Sequence, residues 1–197
     1  MSTATNVTAA KPKVAGAIYR APLGTTLPTT ADETLNSAFK GLGYVSDDGV
    51  TNNNSPSSED IKAWGGAVVY TALTEKPDKF KFKLIEALNT DVLKTVYGSN
   101  NVSGDISTGI AVHAKVEDSE SASYVIDMLL KNNVLKRLVI PNASVAEMAE
   151  IVYKDNEVIG YDVTLSAVPD SNGNTHHDYT KQVSGQTGQT GETGQTS

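Results

Sequence analysis

The sequence predicts a mainly β protein: an antiparallel β-sandwich or barrel-like core, with one or two short flanking α-helices and flexible N- and C-terminal arms. Three observations carry that expectation. Apolar and polar residues alternate in several stretches, most strictly in KFKFKL (79–84), where Lys79, Lys81 and Lys83 fall on one side and Phe80, Phe82 and Leu84 on the other. Most spacers between these stretches have hairpin length. The crossover helices that a parallel sheet requires are missing.

The elements follow in order. Residues 1–14 are mostly small and polar and read as a flexible arm ahead of a β domain over 15–181. AGAIYRAPLGTTLP (15–28) is a short apolar piece broken by Pro22, Gly24 and Pro28. TADETLNSAFKG (30–41) predicts a short helix, with Thr30 as N-cap, Glu33 completing a capping box, Leu35, Ala38 and Phe39 on one face, and Gly41 as the stop. GYVSDDGV reads as a strand end and a tight turn at Asp47-Asp48-Gly49, opening a polar loop over 46–60. AWGGAVVYTALT (63–74) predicts a strand, with Gly65 and Gly66 marking a bulge or a close backbone approach. After the strand at 79–86, a helix over 89–97 has Asn89 or Thr90 as N-cap, Asp91 in its first turn and Gly98 beyond its end.

The second half predicts more strands. TGIAVHAKVED (108–118) alternates, with Ile110, Val112, Ala114 and Val116 on one face. SASYVIDMLL (121–130) follows, then VLKRLVIP (134–141), ending at its proline. EMAEIVYK (147–154) and VIGYDVTLSAV (158–168) form a hairpin through Asp155-Asn156-Glu157. Seven or so strands result. The tail 182–197, with its Gly-Gln-Thr triplets, reads as a disordered linker-like segment: it lacks the proline and length of collagen.

Composition narrows function. Hydrophobic residues make up 39% and charged residues 20%, ordinary values for a globular domain. No run approaches the roughly 18 apolar residues of a membrane span. The first residues contain no apolar h-region, so an export signal is not expected. The Asn-x-Ser/Thr sequons at Asn6, Asn53, Asn101 and Asn142 then read as chance matches. Cysteine is absent, which removes disulfides, thiolate metal sites and Cys nucleophiles together. The net charge of −7 is the wrong sign for holding DNA through its phosphates, though it favours solubility and repels polyanions.

Candidate chemistry is sparse. His113 falls on a polar strand face and reads as a surface residue. His176 and His177 are adjacent, so in an extended segment they point to opposite sides; with Asp178 they make a poor metal set. DSNGN (170–174) lacks the glycine placement and distal Glu of a calcium loop and reads as a turn. No phosphate-binding or nucleophile-elbow motif stands between a strand and a helix. Trp64, the single tryptophan, reads either as a core or rim aromatic or as an anchor at a subunit contact. No enzyme and no cofactor are expected. Two classes remain, a self-assembling structural protein and an adhesive or ligand-binding β-module.

Several segments, in order and spacing, resemble one family. KPKVAGAIYRAPLGTTLPT (11–29), LGYVSDDGV (42–50), IKAWGG (61–66), FKFKLIEALNTDVLKTVYG (80–98) and VIGYDVTLSAVPDSNGNTHHDY (158–179) are similar to the tail tube (major tail) proteins of long-tailed bacteriophages with non-contractile tails. The resemblance spans about residues 11 to 181. It implies a β-sandwich or barrel-like core with a flanking helix. It further implies hexameric rings stacked into a hollow tube that encloses a tape-measure protein, ends at tail terminator and distal tail proteins, and passes phage DNA without specific binding. The protein would be made in the host cytoplasm and reside in the virion tail, with no membrane partner. The family has no catalytic residues to carry over. Candidate inter-subunit contacts are Ile18, Tyr19, Arg20, Tyr44, Asp47, Asp48 and Trp64. Gly160, Asp162, Thr164 and Ser166, with Glu150 on the preceding strand, make a small polar face that reads as the lumen wall or as ordinary outer surface. A related ring-forming tube of a secretion or injection system is the other assembly that fits.

Overall fold

The computed structural model describes residues 3–13 and 16–183, so the Gly-Gln-Thr triplets lie outside the described residues. Thirteen strands and one α-helix are found among those described. The first are β1 (Lys11–Pro12), β2 (Ile18–Pro22), β3 (Lys40–Gly41) and β4 (Val45–Asn53). Next come β5 (Ser57–Lys62), β6 (Val68–Glu75) and β7 (Lys79–Leu84), then α1 (Thr90–Tyr97). Two short strands follow, β8 (Val102–Ser103) and β9 (Ala111–Val112). The last described strands are β10 (Ala122–Leu130), β11 (Val134–Met148), β12 (Tyr161–Ala167) and β13 (His177–Gln182). The main sheet is antiparallel, in the order β3-β2-β10-β11-β12-β7-β4, with β1 beside β10 and β13 beside β11. The mainly β class is as the sequence predicts.

Alternation builds the core. Phe80, Phe82 and Leu84 of β7 and Tyr161, Val163 and Leu165 of β12 are buried on the inner face. Ile18, Tyr124, Ile126 and Ile140 continue it across β2, β10 and β11. Helix α1 covers this face with Val92 and Leu93. Its N-cap is Asn89, whose side chain accepts from the Asp91 N–H at 3.0 Å, and Gly98 ends it at φ 92°. On the other side of β2, β10 and β11 a smaller cluster of Ala21, Val125, Val139 and Phe39 is covered by Leu27, Leu35 and Ala38. The outer face of β12 and β7 has no such cover and carries the lysines.

Several expected elements differ. Residues 30–41 do not form a helix. Arg137 takes the carbonyls of Thr30 and Glu33 as acceptors, at 3.0 and 2.8 Å, and Glu33 reaches back to the N–H and hydroxyl of Thr29. The apolar residues are real core residues, but tertiary bonds hold them in a bent segment. The expected polar loop 46–60 is mostly strand: β4 and β5 leave only residues 54–56 between them. Asp47-Asp48-Gly49 is not a tight turn but a bulge within β4, with Gly49 at φ 71°. Gly65 and Gly66 are not a bulge within one strand. They form the turn of a β5–β6 hairpin, at φ 105° and 92°.

In the second half, 108–118 is strand only at Ala111–Val112, because β8 offers two residues to pair with. Ile110 and Val112 pack on the core while Val116 is fully exposed. Strand β11 does not end at Pro141. The β10–β11 register shifts between Ala122 and Tyr124, so the missing proline N–H falls at an irregularity, and the Ser123 hydroxyl bonds the Pro141 carbonyl at 2.7 Å. The strand expected at 147–154 stops at Met148. A turn does sit at 155–157, but its flanks are unpaired, so the connection to β12 is a long irregular one rather than a hairpin. Strand β13 was not foreseen.

Candidate assembly surfaces

The β5–β6 hairpin is a separate two-stranded ribbon joined to the end of the main sheet where Asn53 pairs with Lys79. Cross-strand pairing sets Ile61 opposite Tyr70 and Glu59 opposite Ala72. Ile61, Trp64, Val68, Val69, Tyr70 and Leu73 are all more than half exposed, and Trp64 at the turn is fully so. Both faces of the ribbon thus present apolar side chains. The sequence singled out Trp64. It missed the others because their run was assigned to one strand of a packed sheet, where such residues would be covered.

The other candidate contacts separate into three groups. Tyr44 is exposed, and Asp47 and Asp48 are exposed on β4. Ile18 is completely buried beside Ile126, so its side chain is withdrawn from any neighbour; the expectation for it is corrected. Tyr19 and Arg20 are half-buried within the subunit. Tyr19 packs on the smaller core, where burial, then the nearby Asp127 charge, raise its hydroxyl. Arg20 pairs with Glu120 at 2.9 Å, and its Nε is buried without a partner. Burial alone would raise Glu120, yet hydrogen bonds from Ser99 and the Arg20 charge hold it below the usual carboxylate range.

The polar face of β12 is a charge ladder. Asp162, Thr164 and Ser166 are half-buried beside Lys83, Lys81 and Lys79 of β7 in register. Lys81 meets Asp162 at 3.2 Å, Lys79 meets Glu147 at 2.7 Å, and Lys83 meets Glu157 at 3.8 Å. Asp162 is therefore a paired charge, not the free negative group that its place on a small polar face suggested. Gly160 precedes β12 and is buried under Lys83; a Cβ there would lie 2.3 Å from Lys83 Cε. Glu150 lies beyond the end of β11, exposed in the irregular connection, so it is not on the preceding strand.

Two polar clusters that the sequence did not announce hold the sheet together. The Asp78 carboxylate, almost fully buried, accepts from Asn52, Thr175 and the His176 ring at 2.7, 2.6 and 2.6 Å. Arg137 and Asp127 form a buried two-point ion pair at 2.6 and 2.8 Å. His176 is thus bonded to Asp78, while His177 lies 3.5 Å from Asp170. Asp170 closes the expected turn by accepting from the N–H groups of Asn172 and Asn174. His113 is a surface residue, as expected. Among the described residues no cluster of His, Asp and Glu is arranged to hold a metal ion, and no helix is long and apolar enough to cross a membrane.

A family model described as phage tail tube protein matches residues 3–184. No curated protein matches the chain.

Proposed function

The chain belongs to the phage tail tube protein family, and from that premise we propose that its copies assemble into stacked hexameric rings, forming the hollow tube of a non-contractile tail. A component of the virion tail that associates with itself is what family membership supports. The observation that carries the self-association is the β5–β6 ribbon. A two-stranded hairpin is marginal alone in water, and this one leaves six large apolar side chains open to solvent. Large apolar side chains exposed together on one such element mark a contact, and a tube supplies one on every subunit.

The rest of the reading follows from that assembly. The tube encloses a tape-measure protein, ends at terminator and distal tail proteins, and lets DNA pass without binding it, which the net charge of −7 favours. No step requires catalysis or a cofactor. Because Trp64 is the only tryptophan and is fully exposed, its fluorescence reports assembly directly. Concentrated protein should form tubes in negative-stain micrographs as the emission moves to shorter wavelength. A variant with residues 57–75 replaced by a short Gly-Ser turn should stay folded and monomeric. Monodisperse wild-type monomers at high concentration, or tubes formed without the ribbon, would refute the proposal.

A further inference from the structure

The self-association reading leaves open where the ribbon docks, and the structure offers a receptor at the opposite end of β4. Strand β4 is last in the sheet order, and among the described residues it pairs only with β7. Its outer edge therefore presents free backbone donors and acceptors, which natural sheets cover or pair. Beside that edge runs a groove of about 670 Å³. Tyr44, Val45, Val50, Ile126 and Met128 supply its apolar wall. Asp47, Asp48 and Lys11 are its charged lining residues. None of these three charged groups has an ion pair among the described residues.

The ribbon matches this groove in three respects. Ile61, Val68 and Tyr70 are exposed apolar side chains of a size to cover its wall. Lys62, beside the turn, also lacks an ion pair among the described residues, and it is the cation nearest the tip; Glu59 and Asp60 lie further down the same strand. These signs, one cation and two carboxylates, complement the two carboxylates and one cation of Asp47, Asp48 and Lys11 in the groove lining. The free backbone of the ribbon can also extend the sheet at β4, a common mode of strand recognition.

Placement gives the contact its direction. The ribbon leaves where Asn53 pairs with Lys79, and the groove lies where Val45 pairs with Leu84. Donor and receptor thus sit at opposite ends of the same strand pair. A contact between different patches is heterologous, so each copy offers one donor and one receptor and the contact links copies in series, into a ring where its rotation closes and a filament where it does not. Resting on the tube reading, we propose that the groove between β4 and β10 receives the tip of the β5–β6 ribbon of a second copy, with Lys62 set between Asp47 and Asp48.

The chain has no cysteine, so the contact can be trapped without background. A Lys62→Cys, Asp48→Cys variant, oxidised mildly in the assembled state, should run as a ladder of covalent multimers, because each copy carries one donor and one receptor. In a separate experiment, Lys62→Glu should abolish assembly at concentrations where the parent forms tubes. Adding Asp47→Lys and Asp48→Lys to the same chain should restore it. A parent that forms tubes while the cysteine pair gives no ladder, or dimers alone, would overturn the docking and leave the tube reading standing. So would Lys62→Glu tubes that form normally, or a loss that the charge swap fails to rescue. A parent that forms no tubes at all would bring down both.

Discussion

Replacing Arg137 by methionine removes a side chain that is 1% exposed yet makes four hydrogen bonds, two to the Asp127 carboxylate and one each to the Thr30 and Glu33 carbonyls. Asp127, itself 4% exposed, is left in the interior as a charge. Breaking a buried pair from one side costs about 3–5 kcal/mol, because the remaining ion is uncompensated. In chains of roughly 150–250 residues each kcal/mol moves the midpoint by about 2–4 °C, so the loss spans about 6–20 °C. Lys13 Nζ, 3.7 Å from the same carboxylate, is available to offset part of the cost. That favours the lower half of the range, about 6–12 °C. The assay is thermal unfolding of the monomer followed by circular dichroism. The paired variant Arg137→Met, Asp127→Leu removes both charges and should regain at least half of the loss, since a buried pair replaced by apolar residues is often neutral. Amide exchange in residues 29–39 should quicken in both variants, because both free the Thr30 and Glu33 carbonyls. A single variant within about 2 °C of the parent, on the same scale, or a paired variant less stable than the single one, would refute the reasoning.

Two further outcomes are expected. Burial by itself would raise the Asp78 carboxyl, but hydrogen bonds from Thr175, Asn52 and His176 outweigh it and hold the group below its ordinary 3.8. A carboxylate depressed in the folded state stabilises above its unfolded value and loses that contribution as pH falls through the folded one; urea midpoints should drop below about pH 4, less steeply in Asp78→Asn, and an equal slope in the variant would count against the cluster. Asp162→Cys, introduced into the cysteine-free chain, should resist a bulky maleimide on intact tubes if the outer face of β12 lines the lumen, and ready labelling would move that face to the exterior.

The parts of the fold that could be read from sequence are those where local pattern and tertiary burial agree. In β7 the alternation of Phe80, Phe82 and Leu84 with lysines is the burial pattern itself. In α1 the Asn89 cap and Gly98 stop are local chemistry. Residues 30–41 carry an equally good helix signal, yet Arg137, more than a hundred positions away, claims their carbonyls. Strand β6 falls within the strand expected over 63–74, but β5 is illegible for the opposite reason. TNNNSPSSED contains no apolar alternation, and its extended form comes from pairing with β6 and β7. Among the candidate contacts, Tyr44, Asp47, Asp48 and Trp64 are on the surface while Ile18 is inside. A short apolar stretch does not reveal which of its members faces inward until the register with β10 is known. Lys62 and Tyr70 carried no motif, and they become candidates only because the ribbon stands free.

The charge ladder on β12 and β7 changes what a lumen on that face could do. Net negative charge was the reason to expect DNA to slide past it. Here the three lysines of β7 face Glu147, Asp162 and Glu157, and Glu157 is shared with Lys154, so the ladder carries no excess of negative charge. The Lys79 hydrogen bond holds the Glu147 carboxyl below its usual range, and the Lys154 hydrogen bond does the same for Glu157. A passing polyanion at this surface would meet lysines whose charge is already engaged, at separations within a Debye length of about 8 Å near physiological salt. On such a face, smooth passage would rest on this pairing together with the overall negative charge of the chain. The acidity of the chain resides elsewhere, in exposed groups such as Asp47, Asp48, Glu59 and Glu150. Of these, Asp47 and Asp48 are free to recognise Lys62 of a neighbour. If a neighbour's ribbon docks there, the same excess of carboxylates that would keep separate tubes apart in solution would, at that groove, select the next subunit.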